Sequence, residues 1–133
     1  MRILTTIVIV DDEEEILTAL EQMLSGEGYV VKAFSSSKEA ESYLKTKTAD
    51  LAVFDIKMPE LDGFSLLKSV RVHRPSLPII FLSSKAEEQD QIIGFTLGAD
   101  DYITKPFSKH LLLMRVAAVL RRHRSQDVAE AKD

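Results

Sequence analysis

At 133 residues and 45% hydrophobic composition, the chain has the size of one domain built on one core. Its formal net charge of −4 lacks the basic excess that holds a nucleic-acid backbone, and Cys 0 rules out disulfides and thiolate metal sites. The apolar opening is cut at Asp11, too short for a signal-peptide core or a membrane span, so the chain is expected to be cytoplasmic and to stay off membranes.

Thr6 to Val10 reads TIVIV, a β-branched run without alternation, which suits a strand buried on both faces. From Glu13 the period changes: Ile16, Leu20, Met23 and Leu24 recur at helical spacing until Gly26 and Gly28. Tyr29 to Phe34 is a second strand, and Ser36 with Glu39 forms a capping-box signature for a helix reaching about Lys47. Leu51 to Phe54 is a third apolar run. A turn over Pro59 to Gly63 leads to a helix carrying Phe64, Leu67 and Val70. Ile79 to Leu82 is the fourth strand, Glu87 to about Leu97 a short helix, and Tyr102 with Ile103 a short fifth strand. Ser108 caps a last helix whose Leu112, Val116 and Val119 face inward. Arg121 to Asp133 reads as a frayed helix end followed by a charged tail or linker, which places the domain at 1–122 and the tail at 123–133.

Buried strands alternating with amphipathic helices predict a doubly wound parallel sheet in a three-layer α/β/α arrangement. Right-handed crossovers put every strand's C-terminal end on one edge, where open α/β sheets bind their ligands. No Gly-rich phosphate loop follows the first strand, which disfavours a dinucleotide or Walker-type site.

The polar residues worth naming sit where strands stop. Asp11 and Asp12 follow the first, Asp55 the third, Ser83 the fourth and Lys105 the fifth. Carboxylates brought together repel one another and resist burial, so they call for a cation. Oxygen ligands without cysteine favour Mg²⁺, with Mn²⁺ as a substitute. An Asp carboxylate can accept a phosphoryl group covalently; a metal would screen the incoming charge, and Lys105 and Ser83 could bind its oxygens. Each residue alone also has a plain structural reading: Asp12 as a helix cap, Asp55 as a turn former, Lys105 as a solvated lysine. Their joint placement argues for a site, and the chemistry alone leaves a metal-dependent phosphatase open.

The segments DDE (Asp11 to Glu13), DIKMPELDG (Asp55 to Gly63), LSS (Leu82 to Ser84) and GADDYITKPF (Gly98 to Phe107) together resemble the receiver domain of bacterial two-component response regulators, from about Ile7 to Arg122. The resemblance implies a flavodoxin-like (CheY-like) sheet of order 2-1-3-4-5 and phosphorylation of Asp55 by a sensor histidine kinase. It implies metal ligation by Asp12 directly, by Asp11 often through water, by Asp55 and by the main-chain carbonyl of Lys57. It makes Ser83 the switch hydroxyl, Tyr102 the switch aromatic and Lys105 the phosphate-binding lysine, with a cis Lys105–Pro106 bond. The chain would then be a phosphoacceptor, with at most self-phosphorylation from small donors and self-dephosphorylation, rather than a turnover enzyme. A plainer role for Tyr102, an edge-strand aromatic packed on the last helix, can coexist with the switch.

GADDYITKPF, with Arg121 and Arg122 ending the last helix, looks most like the subclass that carries a C-terminal winged-helix DNA-binding domain. Transcription control and DNA contact would run through that domain, which this chain lacks; a stand-alone receiver acting by protein–protein contact is the alternative. The subclass pairs as a homodimer through its fourth helix, fifth strand and fifth helix. Asp100, Asp101, Arg115 and Arg122 match its charge pattern, while Gln91, Thr96 and Leu111 depart from it. Leu111, Leu112 and Leu113 cannot all be buried by one helix face in a monomer, so one of them is expected on the surface. His73, His110 and His123 read as surface residues.

Overall fold

Two residues' difference in position along a strand means the same face, and one residue's difference means the opposite face. In the computed structural model, which describes residues 4–84 and 88–131, that rule builds the whole core. The elements run β1 (Thr6–Val10), α1 (Glu14–Gly26), β2 (Val30–Phe34), α2 (Ser37–Thr46), β3 (Leu51–Asp55), α3 (Gly63–His73), β4 (Ile79–Ser83), α4 (Glu88–Thr96), β5 (Asp101–Thr104) and α5 (Lys109–Ala131). The five strands form one parallel sheet in the order β2-β1-β3-β4-β5, as expected. Val8, Val10, Ala52, Phe54, Ile79, Phe81 and Tyr102 point to one side, where Ala40 and Leu44 of α2 and Leu66, Leu67 and Val70 of α3 cover them. Ile7, Ile9, Leu51, Val53, Ile80, Leu82 and Ile103 point to the other, under Leu17, Leu20 and Leu24 of α1 and Leu112, Val116, Val119 and Leu120 of α5. The strands read as unbroken apolar runs because both faces are covered.

Local signals set the helix starts. Ser36 Oγ accepts from Glu39 N at 3.2 Å and Ser108 Oγ from Leu111 N at 3.0 Å, so both expected caps are present. Asp62 Oδ1 caps α3 through Ser65 N at 2.8 Å, a cap hidden in a segment read only as a turn. The first residue expected for the fourth helix, Glu87, lies outside the described residues.

Three expectations need correction. The tail does not fray at Arg121: α5 continues to Ala131, because the segment is rich in helix formers such as Arg, Gln, Ala and Glu even though its apolar period has lapsed. Tyr102 packs in the α2/α3 layer; its neighbour Ile103 is the β5 residue whose apolar side chain packs in the α1/α5 layer. His123 is not a free surface group, since its Nε2 lies 2.8 Å from Asp100 Oδ1, whereas His73 and His110 are exposed. Of the leucine triplet, Leu112 is buried, Leu113 is partly buried and Leu111 is exposed.

The far end of α5 reaches the N-terminal edge of the sheet. Arg124 donates to Thr5 Oγ1 at 2.6 Å, and Leu120, His123 and Arg124 line a cavity with Asp50, just before β3, and Leu77, just before β4. Among the described residues, no helix is long and apolar enough to cross a membrane.

Candidate functional site

The sheet register brings the polar strand ends together. Asp55, the last residue of β3, pairs with Leu82, so Ser83 extends one step beyond it on the adjacent strand. Ser83 pairs with Thr104, and the Lys105 amide donates to the Ser83 carbonyl, which seats Lys105 over the same edge. On the other side of β3, Val10 pairs with Phe54, so Asp11 emerges beside Asp55. The Lys105–Pro106 peptide bond is cis.

Carboxylate oxygens of Asp11, Asp12 and Asp55 all lie within 4.8 Å of one another. Asp11 and Asp55 are buried and Asp12 is exposed, which leaves the cluster open to water on one side. Lys105 Nζ is 2.8 Å from Asp11 Oδ2, 3.3 Å from Glu13 Oε1 and 3.5 Å from Asp55 Oδ1. Asp11, rather than Asp12, makes the local turn bond at the head of α1: its Oδ1 accepts from Glu13 N at 2.9 Å. Lys57 lies exposed in the bend after Asp55. Ser83 is buried at the edge, and Tyr102 is buried on β5 with 8% exposure.

The electrostatics follow from too many acids for one cation. Burial pushes the Asp55 carboxyl up to about 7; the charges of Asp11 and Asp12 add to the rise, and Lys105 opposes it. Asp11 is raised as well, by burial, against the bond from Lys105 and the backbone bond from Glu13. Burial works against the Lys105 charge, but Asp11, Asp55 and Glu13 outweigh it and its pKa is raised. A divalent cation resolves this frustration. The donor set of three carboxylates, two of them buried and short of positive charge, fits a hard ion of the Mg²⁺ type.

Two supports escaped the sequence reading. Gly63 passes so close to the end of β3 that a Cβ there would lie 2.4 Å from the Asp55 carbonyl oxygen and 2.9 Å from Ile56 Cα. Its amide donates to the Ile56 carbonyl at 2.8 Å, closing the loop that follows Asp55. The Asp-Gly pair signals a turn, and only the fold shows that it also needs a residue without a side chain. Within that loop Glu60 holds a positive φ of 67°. Glu13 is the second: its spacing in DDE marks it as acidic, but nothing in the sequence pairs it with Lys105, 92 residues away.

The charges expected on the dimer face have partners inside the chain. Arg115 Nη1 contacts Asp101 Oδ1 at 2.9 Å and Oδ2 at 3.1 Å. The Asp100 carboxylate accepts from Ile79 N at 2.8 Å and meets His123, and Arg122 donates to the Asp100 carbonyl at 3.3 Å. Around them Ile92, Phe95, Leu111 and Met114 are exposed.

Comparisons with known proteins converge on one family. The model of the response regulator receiver domain matches residues 7–117. The alkaline phosphatase synthesis transcriptional regulatory protein PhoP of Bacillus subtilis is 45% identical over 116 residues, covering 87% of this chain and 48% of that protein. The regulatory protein VanRc of Enterococcus gallinarum is 42% identical over 117 residues, covering 88% and 50%. The chain thus spans about half the length of these curated relatives. Among solved structures, a CheY-like receiver domain protein from Methanospirillum hungatei superposes with a TM-score of 0.89 at 31% identity, covering 93% of this chain and 99% of that one. The response regulator DrrB of Thermotoga maritima, described as an OmpR/PhoB homologue, gives 0.82 at 29% identity, covering 90% and 54%.

Proposed function

The chain belongs to the response regulator receiver domain family, and from that premise we propose that Asp55 is its phosphoryl acceptor, with a sensor histidine kinase as donor and transcription as the output. The observation that carries this reading is the meeting of Asp11, Asp12 and Asp55 within 4.8 Å, with Lys105 between two of them. Receiver domains of this kind are self-modifying switches rather than turnover enzymes. An Asp55 carboxylate oxygen attacks phosphorus, the bond from phosphorus to the donor breaks, and the leaving group takes up a proton. Asp11, Asp12, Asp55 and the Lys57 carbonyl would hold the metal. When bound, the ion offsets repulsion between the acceptor and the phosphoryl oxygens. Lys105 and Ser83 would bind those oxygens, and Ser83 with Tyr102 would pass the change to the β5 face. Tyr102 is buried, so an inward ring is one the switch would hold.

The test is labelling from a small phosphodonor with Mg²⁺. Wild-type protein should gain one acyl phosphate, and Asp55→Asn none; stoichiometric labelling of that variant refutes the assignment. Sustained, Asp55-dependent hydrolysis of external phosphoesters would instead support a phosphatase.

The name of PhoP, a transcriptional regulatory protein, supports an output through a DNA-binding domain beyond the receiver boundary near Arg122. That role fits a cytoplasmic protein. The face of α4, β5 and α5 is our proposed homodimer contact, with exposed Leu111 and Met114 supplying apolar area and Asp100, Asp101, Arg115 and Arg122 supplying register. Sedimentation with and without a phosphoryl mimic tests it: a monomer at every salt concentration and well above micromolar protein defeats it.

A further inference from the structure

An ammonium group has three N–H donors, and Lys105 already faces three carboxylates. Of these contacts the one to Glu13 Oε1 is the hydrogen bond, while Asp11 and Asp55 lie at ion-pair distances; phosphoryl oxygens on Asp55 would compete with that bond for Lys105. The three partners are not equal. Asp11 is the nearest, fully buried, and anchored on its other oxygen by Glu13 N. Asp55 is the acceptor itself. Glu13 is the one whose side chain is 61% exposed, so its carboxylate can return to water at little cost. It also stands outside the three-acid metal cluster, so an ion that neutralises Asp11 and Asp55 leaves the hold of Glu13 on Lys105 in place. The short turn explains how Glu13 reaches: Asp11 pins its backbone, and its side chain closes a ring back onto the lysine that Asp11 also binds.

The geometry points to Glu13 as a positioning residue that parks Lys105 in the resting state and is displaced when phosphoryl oxygens arrive. This rests on the reading of Asp55 as the acceptor. Glu13 touches no reacting atom; it acts by setting how much free energy is needed to deliver Lys105. It therefore weights the switch towards rest.

The test uses the beryllofluoride mimic of a phosphoryl group at saturating Mg²⁺, with Mg²⁺ affinity titrated separately for each variant. Glu13→Gln removes the tether. Glu14→Gln removes the same charge one residue later, from an exposed position that makes no described contact with Lys105. Beryllofluoride should bind Glu13→Gln about two- to fivefold more tightly than wild type, the size of an exposed ion pair, and Glu14→Gln within about 1.5-fold. The Lys105 side-chain ammonium resonance should differ between wild type and Glu13→Gln in the resting state and coincide once the mimic is bound. Equal tightening in both variants would mean that bulk charge alone is at work and would overturn the tether. Unchanged or weaker binding in Glu13→Gln, or a Lys105 resonance that ignores the substitution, would overturn it as well. A wild-type protein that fails to bind the mimic at all removes the acceptor reading, and the tether falls with it.

Discussion

The C-terminal edge of the sheet and the α4–β5–α5 face both concentrate charge, but they do so in opposite ways. At the edge, Asp11, Asp55 and Glu13 crowd around one lysine with Asp12 beside the first two, and two of the acids are buried. On the face, Asp101 has Arg115 and Asp100 has His123 and the Ile79 amide, while the apolar residues are the ones left in water. Frustrated charge stores free energy that a ligand of the right sign releases; satisfied charge does not. The first arrangement is built to bind something charged, the second to be covered or to hold its shape.

Relieving the frustration by substitution should give the largest effect. Burial lets the folded state hold a proton on Asp55 up to about pH 7, whereas the unfolded chain releases it in the ordinary carboxylate range, near 3.8. Between those values the folded state binds more protons, so metal-free stability falls as pH rises through the window. Asp55→Asn should remove that slope and stabilise the metal-free protein at pH 8 by about 2–4 kcal/mol, read by denaturant titration. Saturating Mg²⁺ should shrink the gap by stabilising wild type more than the variant. A variant no more stable than wild type at pH 8 would mean that the pocket is not frustrated.

Gly63→Ala probes the scaffold instead of the charge. Its Cβ meets backbone on both near contacts, so the strand end and the loop must shift. Overpacking of this kind costs about 1–3 kcal/mol, and phosphoryl acceptance should slow along with the loss of stability. Asp12→Ala leaves the buried acids in place but removes the exposed member of the cluster; calorimetry should show Mg²⁺ affinity lowered about tenfold or more, or roughly 1.4 kcal/mol. Arg115→Ala, on the satisfied face, should change monomer stability by only about 0–1 kcal/mol, because its side chain is partly exposed. A larger loss there would erase the contrast between the two regions.

Much of this was legible in the sequence. Strand ends showed themselves because β-branched runs stop abruptly at Asp11, Asp55, Ser83 and Lys105, and the parallel topology forces those stops onto one edge. Caps at Ser36 and Ser108 were legible because they act within one turn. What stayed hidden depends on distance through space. The parity of a two-residue apolar stretch did not say whether Tyr102 or Ile103 would face α5. The contact of Glu13 with Lys105 and that of His123 with Asp100 span 92 and 23 positions, and no local pattern encodes them. The Asp55–Gly63 approach is a backbone contact, visible only once the loop is closed.

The extent of α5 has a mechanical meaning. The helix is rooted at Lys109, four residues after Lys105, and runs for 23 residues to Ala131. At the standard rise that is a rod on the order of 35 Å long. Tilting such a rod by about 5° at its root moves its tip by about 3 Å. Because Leu112 to Leu120 pack in the core, a shift of the turn at Lys105 that tilts the rod would carry this layer with it and be felt where Arg124 meets Thr5 at the far pole. The helix converts a local change of angle into travel, as a lever does.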